Sequence, residues 1–178
     1  MKWITNAVPV FKEAWGDNVV AFGICSPSSG AQMMGEHFIW SVSPSLSVGY
    51  ASSNDVFQHA PSVREIQKIS RSRTVERRDT YGIIKNTVSV YGEGETTAQY
   101  NLLSTPDDVQ TYIKAISAME TAAAENGFGD IEVGVFEASG AGDRAGMVIA
   151  SVQAPNLSRL GAFMDQRWSS WMSEASQE

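Results

Sequence analysis

Cysteine is nearly absent from this chain of 178 residues, with Cys25 as its one example. No disulfide can form within the chain, and zinc-finger spacings are excluded. Cys25 closes an apolar run over residues 19–25, where a thiol behaves as a small buried hydrophobe. No base stands beside it to make it a nucleophile. Histidine is almost as scarce. His37 and His59 lie 22 residues apart, with no cysteine or helix-spaced carboxylate near either. No metal signature is therefore present, and no metal or other cofactor is expected. Long apolar runs are missing too: the longest has seven residues, against about 18 for a membrane span. Residues 1–6 hold no sustained apolar segment, so no signal peptide is read and a cytoplasmic protein is expected. Cations are outnumbered, 13 Lys+Arg against 20 Asp+Glu, for a net charge of −7. A surface of that sign repels phosphate backbones, so neither a nucleic acid nor a membrane is expected as partner. The Gly-x-Ser-x-Gly elbow is lacking, and Gly140-Ala141-Gly142 does not precede a helix, which removes the hydrolase and phosphate-loop readings.

What is present describes a globular protein. Apolar residues make up 43% and charged residues 19%, and a chain of this length buries roughly 70% of its surface on folding. The second half is the more legible. Residues 99–104 read as a strand. Thr105-Pro106-Asp107-Asp108 then supplies a cap, a proline at the first helical position and acids in the first turn. Val109, Tyr112, Ile113, Ile116, Met119 and Ala123 follow at helical spacing until Asn126-Gly127. Residues 130–139 and 145–154 alternate as the arms of a hairpin. Pro155-Asn156 opens a last helix with Leu157, Leu160, Met164, Trp168, Trp171 and Met172 on one face. These aromatics and methionines read as a packing face rather than a cofactor box.

The first half repeats that grammar. Ile4, Val8, Phe11 and Trp15 share a helical face, and Pro9 is expected in the first turn or as a break at its start. Residues 19–25 and 37–42 form a hairpin around a Ser/Gly-rich turn at 26–35. Two short helices are expected at about 46–57 and 62–70, the second opened by a Ser62-x-x-Glu65 capping box. Residues 74–84 read as a strand, and Tyr91–Glu95 as a linker. Pro44-Ser45-Leu46-Ser47 and Pro155-Asn156-Leu157-Ser158 share P-x-L-S at an offset of 111. Gly16-Asp17 and Gly129-Asp130 match at 113. Together they suggest an internal duplication, with halves at 1–92 and 93–178.

A β-α-β-β-α unit present twice resembles the ferredoxin-like split motif. At that level the chain resembles the dimeric α+β-barrel superfamily, including antibiotic-biosynthesis-monooxygenase-like and stress-responsive A/B-barrel proteins. The resemblance rests on element order and the repeat anchors. It implies an α+β fold in which two ferredoxin-like halves with antiparallel sheets form one pseudo-symmetric barrel. It also implies one of two functions. The first is small-molecule binding, extending to cofactor-independent oxygenase, cyclase or isomerase chemistry on an aromatic or polyketide-like substrate. The second is a non-catalytic interaction or assembly module that forms homo-oligomers. No catalytic residue transfers from the family, because none of its short signatures occurs here.

Candidate site residues come from the sequence itself. His37 opens the strand HFIWSV and is the candidate general base, since imidazole titrates near neutrality. The competing reading is a strand-end histidine half in solvent. His59, just before Ala60-Pro61, reads as a loop residue. Trp40, Arg77 and Tyr81 are the candidate ligand-binding residues for a small aromatic ligand. On an extended strand Arg77, Asp79 and Tyr81 share a face, where a guanidinium grips carboxylates and a phenol donates a hydrogen bond. The same row also reads as a ladder of surface charge pairs. Arg64, Lys68, Arg71, Arg73, Arg77 and Arg78 concentrate six of the 13 cations here, with Glu65, Glu76 and Asp79 among them. That cluster reads as a local anion site or as a solvated charged surface.

Overall fold

The protein is described from a computed structural model, covering residues 2–29, 35–87, 97–140 and 142–166. The expected linker at 91–95 and the tryptophans Trp168 and Trp171 lie outside the described residues, as does part of the 26–35 turn. The fold is mixed α+β, with two antiparallel sheets and two compact units, Met1–Glu76 and Arg77–Glu178. No helix among the described residues is long and apolar enough to cross a membrane.

The first unit runs α1 (Lys2–Trp15), a 3-10 turn (Gly16–Asn18), β1 (Ala21–Cys25), β2 (Phe38–Val42), α2 (Leu46–Gln58) and α3 (Ala60–Ile69). Helix α1 buries Ile4, Ala7, Phe11 and Trp15, the i, i+3, i+4 stripe of an amphipathic helix. Aromatic rings carry its packing. Phe11 meets Trp15 at 5.7 Å between centroids, and Trp15 meets Phe22 of β1 at 5.2 Å. The Trp3 indole N–H donates to Glu65 O on α3 at 3.0 Å. Pro9 lies in the middle of α1, not at its start. It removes one ladder donor, and burial of the aromatic face holds the helix through that loss. The capping-box expectation is also corrected. Helix α3 begins two residues earlier, so Ser62 is inside it, buried, donating to Val10 O and bonded to His59 Nδ1 at 2.8 Å.

The second unit runs β3 (Thr80–Lys85), β4 (Ala98–Ser104), α4 (Val109–Ala123), β5 (Glu132–Gly140), β6 (Val148–Ala154) and α5 (Leu157–Met164). Its four strands are ordered β3-β5-β6-β4, all antiparallel. Helix α4 is capped by Asp108, whose carboxylate accepts from Thr111 N at 2.8 Å, so Thr105 and Pro106 stand outside it. It ends in a wide turn (Ala124–Phe128) where Gly127 takes φ +83°, a left-handed conformation that favours glycine. Small residues on β6 (Ala150, Val152, Ala154) leave room for Met119 and Ala123 of α4 and for Leu160 and Phe163 of α5.

The described strands do not close into a barrel. Among the described residues the first unit contributes only the two-stranded hairpin β1–β2. The segment around residue 80, read from the sequence as part of the first half, pairs with β5 in the second unit. Residues 74–79, expected to begin that strand, have no regular structure. The P-x-L-S anchors mark equivalent helix starts. Ser45 caps α2 by accepting from Val48 N, and Asn156 caps α5 by accepting from Arg159 N. Both units show helix-hairpin-helix order, but one hairpin stands alone and the other sits between two further strands.

Where β3 stops, side chains take over its role. Lys85 pairs opposite Val135, leaving Val133 beyond the reach of the strand. Val133 N donates to Glu120 Oε1 at 2.7 Å, and Lys85 Nζ donates to Val133 O at 2.8 Å. Lys85 and Glu120 pair with each other at 2.7 Å, both about one-fifth exposed. Replacing Glu120→Ala strands an ammonium and a buried amide together, and is expected to cost about 2 kcal/mol. Glu120→Gln keeps an acceptor for Val133 N and costs less. Urea denaturation of the three proteins measures the order, and equal stability of Glu120→Ala and the parent would refute it.

Candidate functional site

The four candidate residues fall into two places, one in each unit. In the first unit, the register of the β1–β2 hairpin pairs Cys25 with Phe38. The next residue on each arm is therefore Ser26 or His37, and these two meet: Ser26 Oγ lies 3.1 Å from His37 Nδ1. His37 is exposed, and no acid hydrogen-bonds it among the described residues. The pair is a hydroxyl and an imidazole within proton-transfer reach, and among the described residues no third group orients the imidazole as a base. Ser26 escaped the sequence reading, although the hairpin register was the signal that places it there.

Trp40 stands on β2 opposite Gly23. Its indole lies against that glycine, where an added Cβ would overlap the ring unless the indole moved. Trp40 is 38% exposed and Phe38, two residues before it on the same face, is 50% exposed. The thiol of Cys25 is pushed above its ordinary pKa by burial, a hydrogen bond from Trp40 working against the shift. It stays protonated at neutral pH and is no nucleophile. An open depression of about 550 Å3 in the same unit is lined by Lys12, Trp15, Gly16, Asp17, Val19 and Val20, and takes in none of the four candidates.

In the second unit, β3 pairs with β5 so that Thr80 faces Gly140, which sets the approach to β3 beside the turn after β5. There Arg77 Nε donates to Asp79 Oδ1 at 2.9 Å and Arg77 Nη2 bonds Asp143. Tyr81 OH donates to Asp79 Oδ2 at 3.1 Å, and Arg144 Nη1 stands 3.5 Å from the same oxygen. Arg77 and Tyr81 are thus brought together, as the alternation suggested, but around an internal carboxylate. Asp79 is 13% exposed in its side chain and already holds three donors. Two guanidiniums and two carboxylates balance, so an incoming anion would have to displace Asp79 or Asp143. Asp143 and Arg144, in the 3-10 turn Gly142–Arg144, were not singled out from sequence. Only the β3–β5 pairing brings them to Arg77.

Against protein-family models, curated proteins and solved structures, the chain finds no match.

Among the described residues no group of three or more His, Cys, Asp and Glu side chains could hold a metal ion. His59 bridges helices: its Nδ1 bonds Ser62 Oγ, and its Nε2 is 4.0 Å from Glu13 Oε2 on α1. Ser62 Oγ also reaches Val10 O at 3.4 Å, so the three groups tie α1 to the start of α3.

The cluster around Asp79 has one titratable reporter. The Tyr81 hydroxyl is pushed above its ordinary pKa, first by burial; Arg144 pulls it down, and Asp79 pushes it up. A neutral phenol favoured in the folded state contributes stability below the unfolded pKa of about 10, lost as pH rises through the folded value. The 295 nm absorbance difference between the parent and Tyr81→Phe should therefore grow in only above pH ~10. Ionisation at or below that pH would contradict the burial argument.

Proposed function

We propose that this protein is a non-catalytic interaction module that assembles with copies of itself. The observation carrying this reading is the set of large apolar side chains left in solvent on regular elements of both units. Phe38, Tyr50 and Phe57 are 50–61% exposed in the first, and Leu102 and Leu157 are 47% and 63% exposed in the second. Scattered apolar residues are normal on a surface, but rows of them on strands and helices mark contact surfaces. The charged candidates point the same way, since Arg77 and Tyr81 spend their donors on Asp79. The β-α-β-β-α order from β4 to α5 supports a ferredoxin-like second unit. Within the α+β-barrel resemblance, that suits the assembly branch of the superfamily. The test is light scattering of the full chain across concentrations. The weight-average mass should climb above 19.3 kDa and persist in 1 M salt, as apolar contacts do. A mass constant at the monomer value would sink the reading.

One observation favours the small-ligand reading: the Ser26–His37 hydrogen bond beside the exposed Trp40 and Phe38 rings. Planar aromatic acids and quinols suit such a place, by stacking on the indole and bonding the imidazole. In a thermal-shift screen of that class, a stabilising compound should lose its effect in His37→Ala and Trp40→Ala. Absence of any stabilising compound, or a shift retained in both variants, counts against it.

A further inference from the structure

The sheet of the second unit has two outer edges, built very differently. The β3 edge carries Lys85, has register shifts between Thr80 and Tyr81 and between Ile83 and Lys85, and ends in the Arg77–Asp79–Arg144 cluster. Charges and irregularities of this kind block the addition of another strand. The β4 edge has none of them. AQYNLLS contains no charge, proline or glycine, and pairs with β6 over all seven residues without a shift. No strand among the described residues covers its outer side. Tyr100, Leu102 and Leu103 on it are 42–47% exposed.

The helix above that edge matches it. α5 contacts both β4 and β6. Arg159 reaches back to Asp130 at 2.8 Å and lies 4.3 Å over the Phe128 ring, so its flank of α5 faces β5. At about 100° per residue, Leu157, Gly161 and Met164 stand roughly 140–160° round the helix from Arg159, toward the β4 edge. Leu157 is 63% and Met164 38% exposed, and a Cβ at Gly161 would meet open space.

We propose that a second copy of this chain pairs antiparallel along β4 about a two-fold axis at Asn101, joining the two sheets into one of eight strands. The proposal rests on the self-assembly reading above and names its surface. The axis sets Tyr100 against the partner copy's Leu102 and Leu102 against the partner copy's Tyr100, a favourable aromatic-aliphatic cross-strand pair made twice. It also aligns the helices. Strands lie about 4.8 Å apart, and α5 sits over the β4–β6 gap, so the two α5 helices run antiparallel about 10 Å apart. That is a normal helix-packing distance of 8–10 Å, with Gly161 allowing close approach. A seven-residue edge and an eight-residue helix, each layer about 10 Å thick, present about 350 Å2 per copy in cross-section. The total of about 700 Å2 falls below the roughly 1,200 Å2 of a stable complex. Area thus selects a concentration-dependent dimer over an obligate one.

Sedimentation of the full chain should show monomer converting to dimer between about 1 and 100 µM, the range of weak interfaces. Leu102→Lys, at an exposed position, should weaken dimerisation at least ten-fold while leaving the circular dichroism unchanged. Asn101→Cys combined with Cys25→Ser should give a covalent dimer on mild oxidation, since residues opposed across antiparallel strands have Cα atoms within disulfide range. At concentrations where the parent is dimeric, no cross-link, or unweakened dimerisation of Leu102→Lys, overturns the β4 interface and leaves self-assembly to another surface. A parent that stays monomeric throughout overturns both, and leaves the edge to a different protein.

Discussion

A peptide group withdrawn from water must find a partner, and in the second unit that demand is sharpest at Val133. Its side chain is fully buried, and the strand that would serve its outward N–H and C=O has already ended. Glu120 and Lys85 meet the demand together, neutralising each other as they do so. Because Glu120 belongs to α4, the same contact sets the height and rotation of that helix on the sheet. Met119 and Ala123 then reach the core. The space left beside α4 is occupied by α5, locked in rotation by Arg159 against Asp130 and Phe128. Asp130 is held below its usual carboxylate range chiefly by that guanidinium hydrogen bond, so the clamp is charged at neutral pH.

Local signals were readable and non-local ones were not. The stripe from Val109 to Ala123, the stop at Asn126-Gly127 and the alternation after Asp130 each lie within one element, and the structure has a helix, a left-handed turn and a strand in those places. The P-x-L-S anchors were real but narrower in meaning than a repeat: they are cap signals, and caps look alike wherever helices begin. Arg77 to Tyr81 alternates like a strand, yet residues 73–79 are irregular because their charges answer a turn more than sixty residues away. No window of sequence contains that partner. Pro9 failed for the opposite reason, local propensity yielding to the burial of Phe11 and Trp15.

The candidate sites show the same division. The hairpin register makes Ser26 and His37 neighbours, which follows from strand alternation once the pairing is known. Arg77 and Tyr81 meet at one carboxylate although only Tyr81 lies on a strand, and the identity of the group they hold could not be read along the chain. A row of donors looks like a binding site until its internal acceptor is found, and here that acceptor is Asp79, two residues from each.

The strand order β3-β5-β6-β4 also bears on how the second unit forms. Its two central strands are joined by a short turn, so their pairing closes only a small loop. Each outer strand must find its place across some fifty residues of chain, and chain entropy makes such distant contacts slow. The α4–β5–β6 segment is thus the natural nucleus, with β3 and β4 added to it afterwards. Of the two latecomers, β3 arrives with a lysine and an arginine that steer it to fixed carboxylates. β4 has no charged guide, and its fidelity rests on apolar packing against β6 and α5.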